Sequence, residues 1–424
     1  MKCFIGLGSN LGDRRENLER AAKALVAISQ NRFIRVSPIY ETPALVPDGA
    51  PEEWRRPYFN AAAEIDWSGS AIDLLRKLKD IERELGRSEA PRWAPRPIDL
   101  DLLLFGDEIL QEQVRVPHPE ILRRSFVLDP LKDLCPLLRI PGAREAAVIE
   151  ARKLNTHAPW VMAIVNLTPD SFSDGGELQT LQAVEEKMDL IEQSGAQAID
   201  IGAESTRPNA QSITPQEERH RLEPVLELLR EKRRGVYFKP WLSVDTRNAE
   251  TAALALSYGA DCINDVSGLQ DPRMLDLLAS SSCDYVLMHS LSVPVNPKDT
   301  LPPDCDPVSE LKGWLNAKLE LLDSKKIDLG RIIFDPGIGF GKTAAQSVSV
   351  LQRMHEFAEF PVRILVGHSR KSFLKSFGLE KRSARDASTL ALSLELARKG
   401  VDILRVHDFE SHVAAFKVEM ELKQ

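Results

Sequence analysis

Two groups of side chains in this chain of 424 residues have types and spacing that could do chemistry. The compact one is Arg92-Trp93-Ala-Pro-Arg96-Pro-Ile-Asp99-Leu-Asp101-Leu-Leu-Leu-Phe105. On a strand, residues two apart share a face. Asp99 and Asp101 then stand side by side, each able to give one oxygen to Mg²⁺ and leave positions for substrate phosphates. Arg92 and Arg96, just upstream, are cations that suit ATP phosphates. The plain alternative is an acidic strand start. The second group is spread over the rest of the chain. An apolar run ends at Asn166 and passes into Leu-Thr-Pro-Asp-Ser-Phe172-Ser-Asp-Gly-Gly. Later runs end in Asp200 then Glu204-Ser-Thr206-Arg207, in Asp245-Thr-Arg, in Asn264-Asp265, in His289, in Asp335 through Lys342, in His368-Ser369-Arg370-Lys371, and in Arg405 with His407-Asp408. Any one of these reads as a helix cap or solvated loop. Caps do not call for Arg, Lys and His at so many strand ends. Asp245, Asn264 and Asp335 suit the N–H and C=O edge of a flat, nitrogen-rich ring. Arg207, Arg405 and His407 suit phosphate oxygens, and Asn166 offers an oxygen to Mg²⁺. A ring with a phosphorylated arm is the implied ligand.

These groups need frames to hold them. Before residue 141, Leu18, Ala22, Leu25 and Ile28 recur at helical spacing, as do Leu74, Leu78, Ile81 and Leu85. Strand-like runs are 2–7, 33–40, 59–65 and 100–105. Two helices among four strands predict an α+β sheet with its helices on one face. After residue 159, strand and helix patterns alternate through eight units in about 265 residues, the size of a (β/α)₈ TIM barrel, whose chemistry sits at the carboxyl ends of the strands. A doubly wound sheet is the alternative. The stretch from about 141 reads as a linker, which divides the chain into domains 1–155 and 156–424.

The apolar fraction of 43%, charged fraction of 28% and net charge of −8 describe an ordinary globular mixture, with no basic face for nucleic acid. Five scattered cysteines form no Cys-x-x-Cys pair. The absence of a leader peptide and of a long apolar span predicts a cytoplasmic protein with no membrane partner. Three familiar motifs fail. Gly339-Phe-Gly341-Lys342-Thr343 lacks the first P-loop glycine, which is Pro336. Gly367-His-Ser-Arg-Lys lacks the second glycine of a nucleophile elbow. Gly6-x-Gly8-x-x-x-Gly12 is one residue too long for a dinucleotide fingerprint.

The motifs Asn166-Leu-Thr-Pro-Asp-Ser-Phe-Ser-Asp-Gly-Gly, Glu204-Ser-Thr-Arg-Pro208, Ser243-Val-Asp-Thr, Ile263-Asn-Asp-Val-Ser-Gly, Asp335-Pro-Gly-Ile-Gly-Phe-Gly-Lys and Ser369-Arg-Lys-Ser together resemble dihydropteroate synthase over about 158–424. In that family p-aminobenzoate displaces pyrophosphate from 6-hydroxymethyl-7,8-dihydropterin diphosphate. The resemblance implies that Asp245, Asn264, Asp335 and Lys371 hold the pterin. It implies that Arg405, His407 and Asn166 hold pyrophosphate with one Mg²⁺, and that Phe172, Thr206, Arg207, Pro208 and Ser369 frame p-aminobenzoate. It implies catalytic roles for Asp245 and Lys371, and a homodimer through the barrel. Ala203 stands where the family often has a second glycine.

Gly8-Ser-Asn, Thr42-Pro43, Tyr58-Phe-Asn60, Pro95-Arg96-Pro-Ile-Asp99-Leu-Asp101 and Val116-Pro-His118 through Phe126 resemble hydroxymethyldihydropterin pyrophosphokinase over about 1–140. That family has a ferredoxin-like fold and moves a diphosphate from ATP to the pterin alcohol, leaving AMP. The resemblance implies that Asp99 and Asp101 bind two Mg²⁺ with ATP, and that Thr42, Pro43, Tyr58, Asn60 and Phe126 hold the pterin. Glu82, Arg87, Trp93, Arg96, His118 and Arg124 would handle ATP, with Arg87, Arg96 and the two aspartates catalytic. Gln113 stands where the family usually has an arginine, and Arg115 is two residues further along the same expected strand. Together the resemblances imply a bifunctional folate-biosynthesis enzyme. The competing readings are a synthase carrying a non-catalytic kinase-like scaffold, and a pterin-binding methyltransferase barrel.

Overall fold

A computed structural model of the chain describes residues 1–29, 35–154, 159–167, 181–204, 212–379 and 381–423. The chain divides into two compact units. One is Met1–Ala158 with Gly235–Lys239 and Lys417–Gln424; the other is Pro159–Arg234 with Pro240–Phe416.

The first unit runs β1 (Lys2–Ser9), α1 (Arg14–Ile28), β2 (Arg35–Val36), β3 (Tyr40–Thr42), β4 (Tyr58–Asp66), α2 (Ala71–Glu84) and β5 (Asp99–Phe105). Side chains close the helix starts: Asp13 accepts from the Glu16 N–H, and Ser70 from the Asp73 N–H. The sheet is antiparallel in the order β2-β4-β1-β5, and β3 also pairs with β4. With β2 and β3 taken as one interrupted strand, this is the β-α-β-β-α-β arrangement of ferredoxin-like folds. The run 33–40 does not form a single strand. Pro38 has no N–H for the ladder, and Ser37 fills the break by pairing with Ala62 through its backbone N–H and its hydroxyl.

The expectation of helices on one face holds only for the core motif. Beyond β5, a short hairpin of β6 (Leu110–Gln111) and β7 (Arg115–Val116) leads to α3 (Ser125–Leu134) and α4 (Ala147–Arg152). Strand β1 is apolar on both sides. Cys3, Ile5 and Leu7 pack with Leu18, Leu25, Leu74 and Leu78 of α1 and α2, while Phe4 packs with Ala62, Leu103, Leu128, Leu131 and Ala151 under α3 and α4. The second pair of helices escapes a periodicity reading because Pro130 lies inside α3 and α4 is only six residues long. Helix α4 also occupies part of the stretch expected to be linker.

The second unit alternates throughout: β8 (Trp160–Asn166), α5 (Leu181–Ser194), β9 (Ala198–Gly202), α6 (Pro215–Lys232), β10 (Trp241–Asp245), α7 (Ala249–Ser257), β11 (Cys262–Asp265), α8 (Arg273–Ser280), β12 (Asp284–Met288), α9 (Pro307–Ser324), β13 (Ile332–Asp335), α10 (Ala344–Gln352), β14 (Arg363–Val366), α11 (Arg382–Arg398), β15 (Ile403–Val406) and α12 (Phe409–Leu422). The eight strands are parallel and closed, with β15 returning to β8 at Ile403↔Trp160. Closure excludes the doubly wound sheet. Strands covered on both sides read as continuous apolar runs, and Ile199, Val244, Ile263, Leu287, Phe334, Ile364 and Leu404 join one buried core. Among the described residues, no helix is long and apolar enough to cross a membrane.

Candidate active site

Strand register gathers the polar ends of the barrel strands on one rim. Asn166 and Asp245 both pair with Gly202, Asn264 pairs with Asp245, and Asp335 with Met288. Gly202 cannot carry a side chain without movement, since a Cβ there would lie 3.0 Å from the Asp245 Cβ. Arg405 projects from β15 and donates through Nε to Asp200 Oδ2 at 2.6 Å and through Nη2 to Asp245 Oδ2 at 3.0 Å. Asn264 gives its amide N–H to the same Asp200 oxygen at 3.1 Å. This bond orients Asn264, leaving its carbonyl as an acceptor for a ligand N–H.

Asp335 accepts from the Gly337 N–H at 2.7 Å. Gly337 has φ +65°, and a Cβ there would meet the His289 carbonyl oxygen at 2.0 Å, so only glycine fits this turn. Lys371 lies with Nζ 4.2 Å from the centre of the Phe340 ring. Ser369 Oγ is 3.0 Å from His407 Nδ1. Burial shifts three ionisable groups of this pocket toward neutrality: Asp335 up to about 6, Lys371 down to about 8, and Asp245 upward. For Asp245 the Asp200 charge adds to burial while Arg405 opposes it. Asp245, Asn264, Asp335, Lys371, Ser369, Arg405 and His407 thus cluster at one end of the barrel, with Asn166 on the same rim. Phe172, Thr206, Arg207 and Pro208 lie outside the described residues. Asp200, fully buried, is the group whose part sequence reasoning missed. It sits two residues inside the strand end, where an apolar neighbour would be expected. Its signal was a carboxylate within the run Ala198–Gly202.

In the first unit the organising feature is the pair of glycines in β1. Gly8 lies between Asn60 on β4 and Asp99 on β5, and Gly6 lies between Ala62 and Asp101. Cross-strand partners share a face, so Tyr58, Asn60, Asp99 and Asp101 border a strip without side chains, on the face whose other half is covered by α3. Two strand spacings of ~4.8 Å separate the acids from Asn60. Asn60 donates to Thr42 Oγ1 at 2.7 Å, and Pro43 follows directly. Burial raises the Tyr58 hydroxyl pKa.

Arg87 binds Asp99 at 2.5 Å and Glu82 at 2.6 Å, and Arg96 binds Asp99 at 3.1 Å. Burial and the Asp99 charge raise Asp101. Glu82 is buried, and its Oε1 also accepts from the Leu100 N–H and from Lys79, each at 2.7 Å. Its visible partners are Arg87, Lys79 and the backbone of β5. Asn10, also buried, accepts from the Arg96 N–H through its side-chain oxygen at 2.8 Å and donates its own backbone N–H to the Arg96 carbonyl at 3.2 Å, a two-bond clamp. Beside it lies a cavity of about 620 Å³ lined by Gly12, Asn17, Arg87, Arg92 and Arg96. Trp93 takes a left-handed backbone, φ 80°, with Arg92 over its ring. His118 Nδ1 accepts from the Glu120 N–H, which leaves Nε2 as a donor. Arg124 lies over Phe126 at the start of α3. Gln113 falls in a bend between β6 and β7, so Arg115 is not its same-face partner on one strand.

Two families match the two units. Residues 4–136 match the 7,8-dihydro-6-hydroxymethylpterin-pyrophosphokinase family, and residues 162–407 match the pterin binding enzyme family. The folate synthesis bifunctional protein of Chlamydia muridarum is 36% identical over 430 residues, covering 96% of this chain and 95% of that protein. The mitochondrial folate synthesis bifunctional protein of Arabidopsis thaliana is 33% identical, covering 98% of this chain and 82% of that protein. Among solved structures, Xanthomonas albilineans dihydropteroate synthase with 4-aminobenzoic acid is 38% identical with a TM-score of 0.56, covering 64% of this chain and 96% of that one. The Anaplasma phagocytophilum dihydropteroate synthase with bound 6-hydroxymethylpterin-monophosphate is 36% identical with a TM-score of 0.55, covering 62% and 98%. With both units matched and nearly the whole chain spanned, the protein belongs to the bifunctional folate-synthesis family, in which a hydroxymethyldihydropterin pyrophosphokinase precedes a dihydropteroate synthase barrel.

Proposed function

We propose that each unit carries one of two consecutive reactions and that the residues gathered above carry the chemistry. In the first unit, the alcohol oxygen of 6-hydroxymethyl-7,8-dihydropterin loses its proton to solvent and bonds to the β-phosphorus of ATP, while the bond from that phosphorus to the α,β-bridging oxygen breaks and AMP leaves with that oxygen. Asn60, Thr42, Pro43, Tyr58 and Phe126 hold the pterin, and Arg87, Trp93, Arg96, His118 and Arg124 hold ATP. Glu82 serves this site by fixing Arg87. The observation that carries the reading is the glycine strip of β1, which joins a ring-binding edge at Asn60 to an acid–arginine edge at Asp99 and Asp101. Catalysis there is positioning with charge neutralisation.

The donor sets suit Mg²⁺. Burial, and then the like charge of Asp99 on the same strand face, raise Asp101, and a divalent cation between the two carboxylates would oppose that shift. Asp99 and Asp101 would hold two Mg²⁺ with ATP, and Asn166 one with pyrophosphate; the metal neutralises phosphate charge.

In the second unit, the methylene carbon–oxygen bond breaks as pyrophosphate leaves. The p-aminobenzoate nitrogen bonds to that carbon and loses a proton, giving 7,8-dihydropteroate. Asp335, Asn264, Asp245 and Lys371 hold the ring, and Asp245 stabilises the charge that develops on it. Arg405, His407 and Asn166 hold the departing pyrophosphate. Ser369, with Phe172, Thr206, Arg207 and Pro208, frames p-aminobenzoate. The reading includes residue boundaries of 1–155 and 156–424 for the two activities, a cytoplasmic location and a homodimer through the barrel.

One assay tests the whole. The chain is mixed with ATP, 6-hydroxymethyl-7,8-dihydropterin, Mg²⁺ and p-aminobenzoate, and AMP, pyrophosphate and dihydropteroate are followed together. All three should appear, and omission of p-aminobenzoate should leave AMP release intact. Dihydropteroate formed only from supplied pterin diphosphate would instead mean a scaffold first unit.

A further inference from the structure

Beneath the loops that follow β14 and β15 runs a buried chain of three polar side chains that the reaction does not use. His368 Nε2 lies 2.9 Å from Ser393 Oγ and 3.2 Å from the Thr389 carbonyl. Ser393 Oγ lies 2.9 Å from His412 Nε2, and His412 Nδ1 lies 2.5 Å from the Asp408 carbonyl. His368 and Ser393 are wholly buried, and His412 nearly so.

The direction of the chain follows from its ends. A carbonyl only accepts, so His412 carries its proton on Nδ1 and leaves Nε2 bare. Burial lowers the pKa of both histidines and keeps them neutral. Ser393 therefore donates to His412, and its oxygen accepts from His368 Nε2–H. This arrangement pairs Ser393 and both nitrogens of His412, and leaves His368 Nδ1 without a hydrogen-bond partner among the described residues.

The placement of the ends gives the chain its significance. His368 immediately precedes Ser369, and Asp408 immediately follows His407. Ser369 and His407 already meet at 3.0 Å on the site side. The two loops are thus cross-linked twice, once at the site and once below it, with Ser393 of α11 as the lower node. Helix α11 supports the same loop at other turns of one face: Thr389 Oγ1 accepts from the Arg370 N–H, and Asp386 binds Arg370 Nε at 2.6 Å.

We propose that Ser393 is a positioning residue of the synthase site, holding the loop of Ser369 and Lys371 in register with the loop of His407 through His368 and His412. The proposal rests on the synthase reading. Its ligand consequence falls on the diphosphate end of the substrate, which His407 and Arg405 face.

The test compares wild type, Ser393→Ala and Ser393→Thr in the full chain. Inhibition by inorganic pyrophosphate and the KM for pterin diphosphate are measured, with AMP release by the first unit as an internal control. In Ser393→Ala the pyrophosphate inhibition constant and that KM should rise about five- to tenfold, the loss expected for one buried hydrogen-bond node. The KM effect should exceed the effect on kcat, AMP release should be unchanged, and Ser393→Thr should recover most of the loss. An active wild type with an unchanged inhibition constant in Ser393→Ala overturns the proposal. A wild type that forms no dihydropteroate overturns the synthase reading instead. If Ser393→Ala does not fold, nitrogen-15 spectra of the wild-type histidines decide the matter. Protons on His368 Nε2 and His412 Nδ1 are expected, and the reverse tautomers overturn the proposal.

Discussion

Arg405 on β15 reaches past β8 to Asp200 on β9, its Nε 2.6 Å from an oxygen of a carboxylate that is wholly buried. The same oxygen receives the Asn264 amide. One carboxylate inside the strand end thus fixes both a proposed phosphate-facing cation and a proposed ring-facing amide. Removing one partner of a buried ion pair leaves the other charge uncompensated, at a cost of about 3–5 kcal/mol. Because Arg405 keeps Asp245, Asp200→Ala should lie near the lower end of that range, measured as a shift in the denaturant midpoint. An unchanged midpoint would show that Asp200 does not anchor the rim.

Asp335 ties pocket chemistry to stability. Burial raises its carboxyl from 3.8 to about 6. A raised pKa in the folded state means that the stability of the protonated form is fully present below about 4 and is lost as pH climbs through 6. Asp335→Asn keeps the acceptor oxygen for the Gly337 N–H and removes the charge. At pH 8 the variant should be more stable than wild type by roughly 2–3 kcal/mol, from a shift of about two units, and at pH 3.5 the difference should vanish. It should also lose pterin binding. Equal stabilities at pH 8 would count against a buried, charged Asp335.

In the first unit, Asp101 has its pKa raised by burial and by Asp99, and Arg87 and Arg96 form ion pairs with Asp99. Asp101→Asn changes a charge and little else in shape. AMP release should fall by at least about a hundredfold, as for loss of a metal-neutralising ligand. Dihydropteroate formation from supplied pterin diphosphate should continue. Parallel loss of both activities would point to misfolding rather than chemistry.

The sequence made most of the barrel legible because each strand, buried on both sides, leaves an uninterrupted apolar run with polar residues at one end. Asp245, Asn264, Asp335 and Lys371 were visible for that reason. Asp200 was harder to place, since a carboxylate inside a strand reveals nothing of a partner 205 positions away on β15. In the first unit, the acid pair on β5 was visible from its alternation. The strip of Gly6 and Gly8 was obscured by its likeness to a nucleotide loop, although both residues lie within a strand. Helices α3 and α4 hid behind Pro130 and short length, and with them the reason that one sheet face is half covered and half available to ligands.

Lys342 ends the motif that resembled a P-loop, and its amine is buried under the turn after β13. Nζ lies 2.9 Å from His289 Nδ1, 3.1 Å from Gly337 O and 3.0 Å from Phe340 O, three acceptors for three N–H groups. Burial pulls its pKa down, and the Asp335 charge opposes that shift. The turn is curled around this one amine, and the curl presents Phe340 to Lys371. Lys342→Met fills similar volume but releases both carbonyls. Because a buried carbonyl left without its donor costs about 1–3 kcal/mol, the turn should open. The KM for pterin diphosphate should then rise by about tenfold or more, while AMP release stays at its wild-type rate. Lys342→Arg cannot reproduce three convergent short contacts from a planar fork, so it should not rescue. Wild-type KM in Lys342→Met would show that the turn holds its shape without the amine.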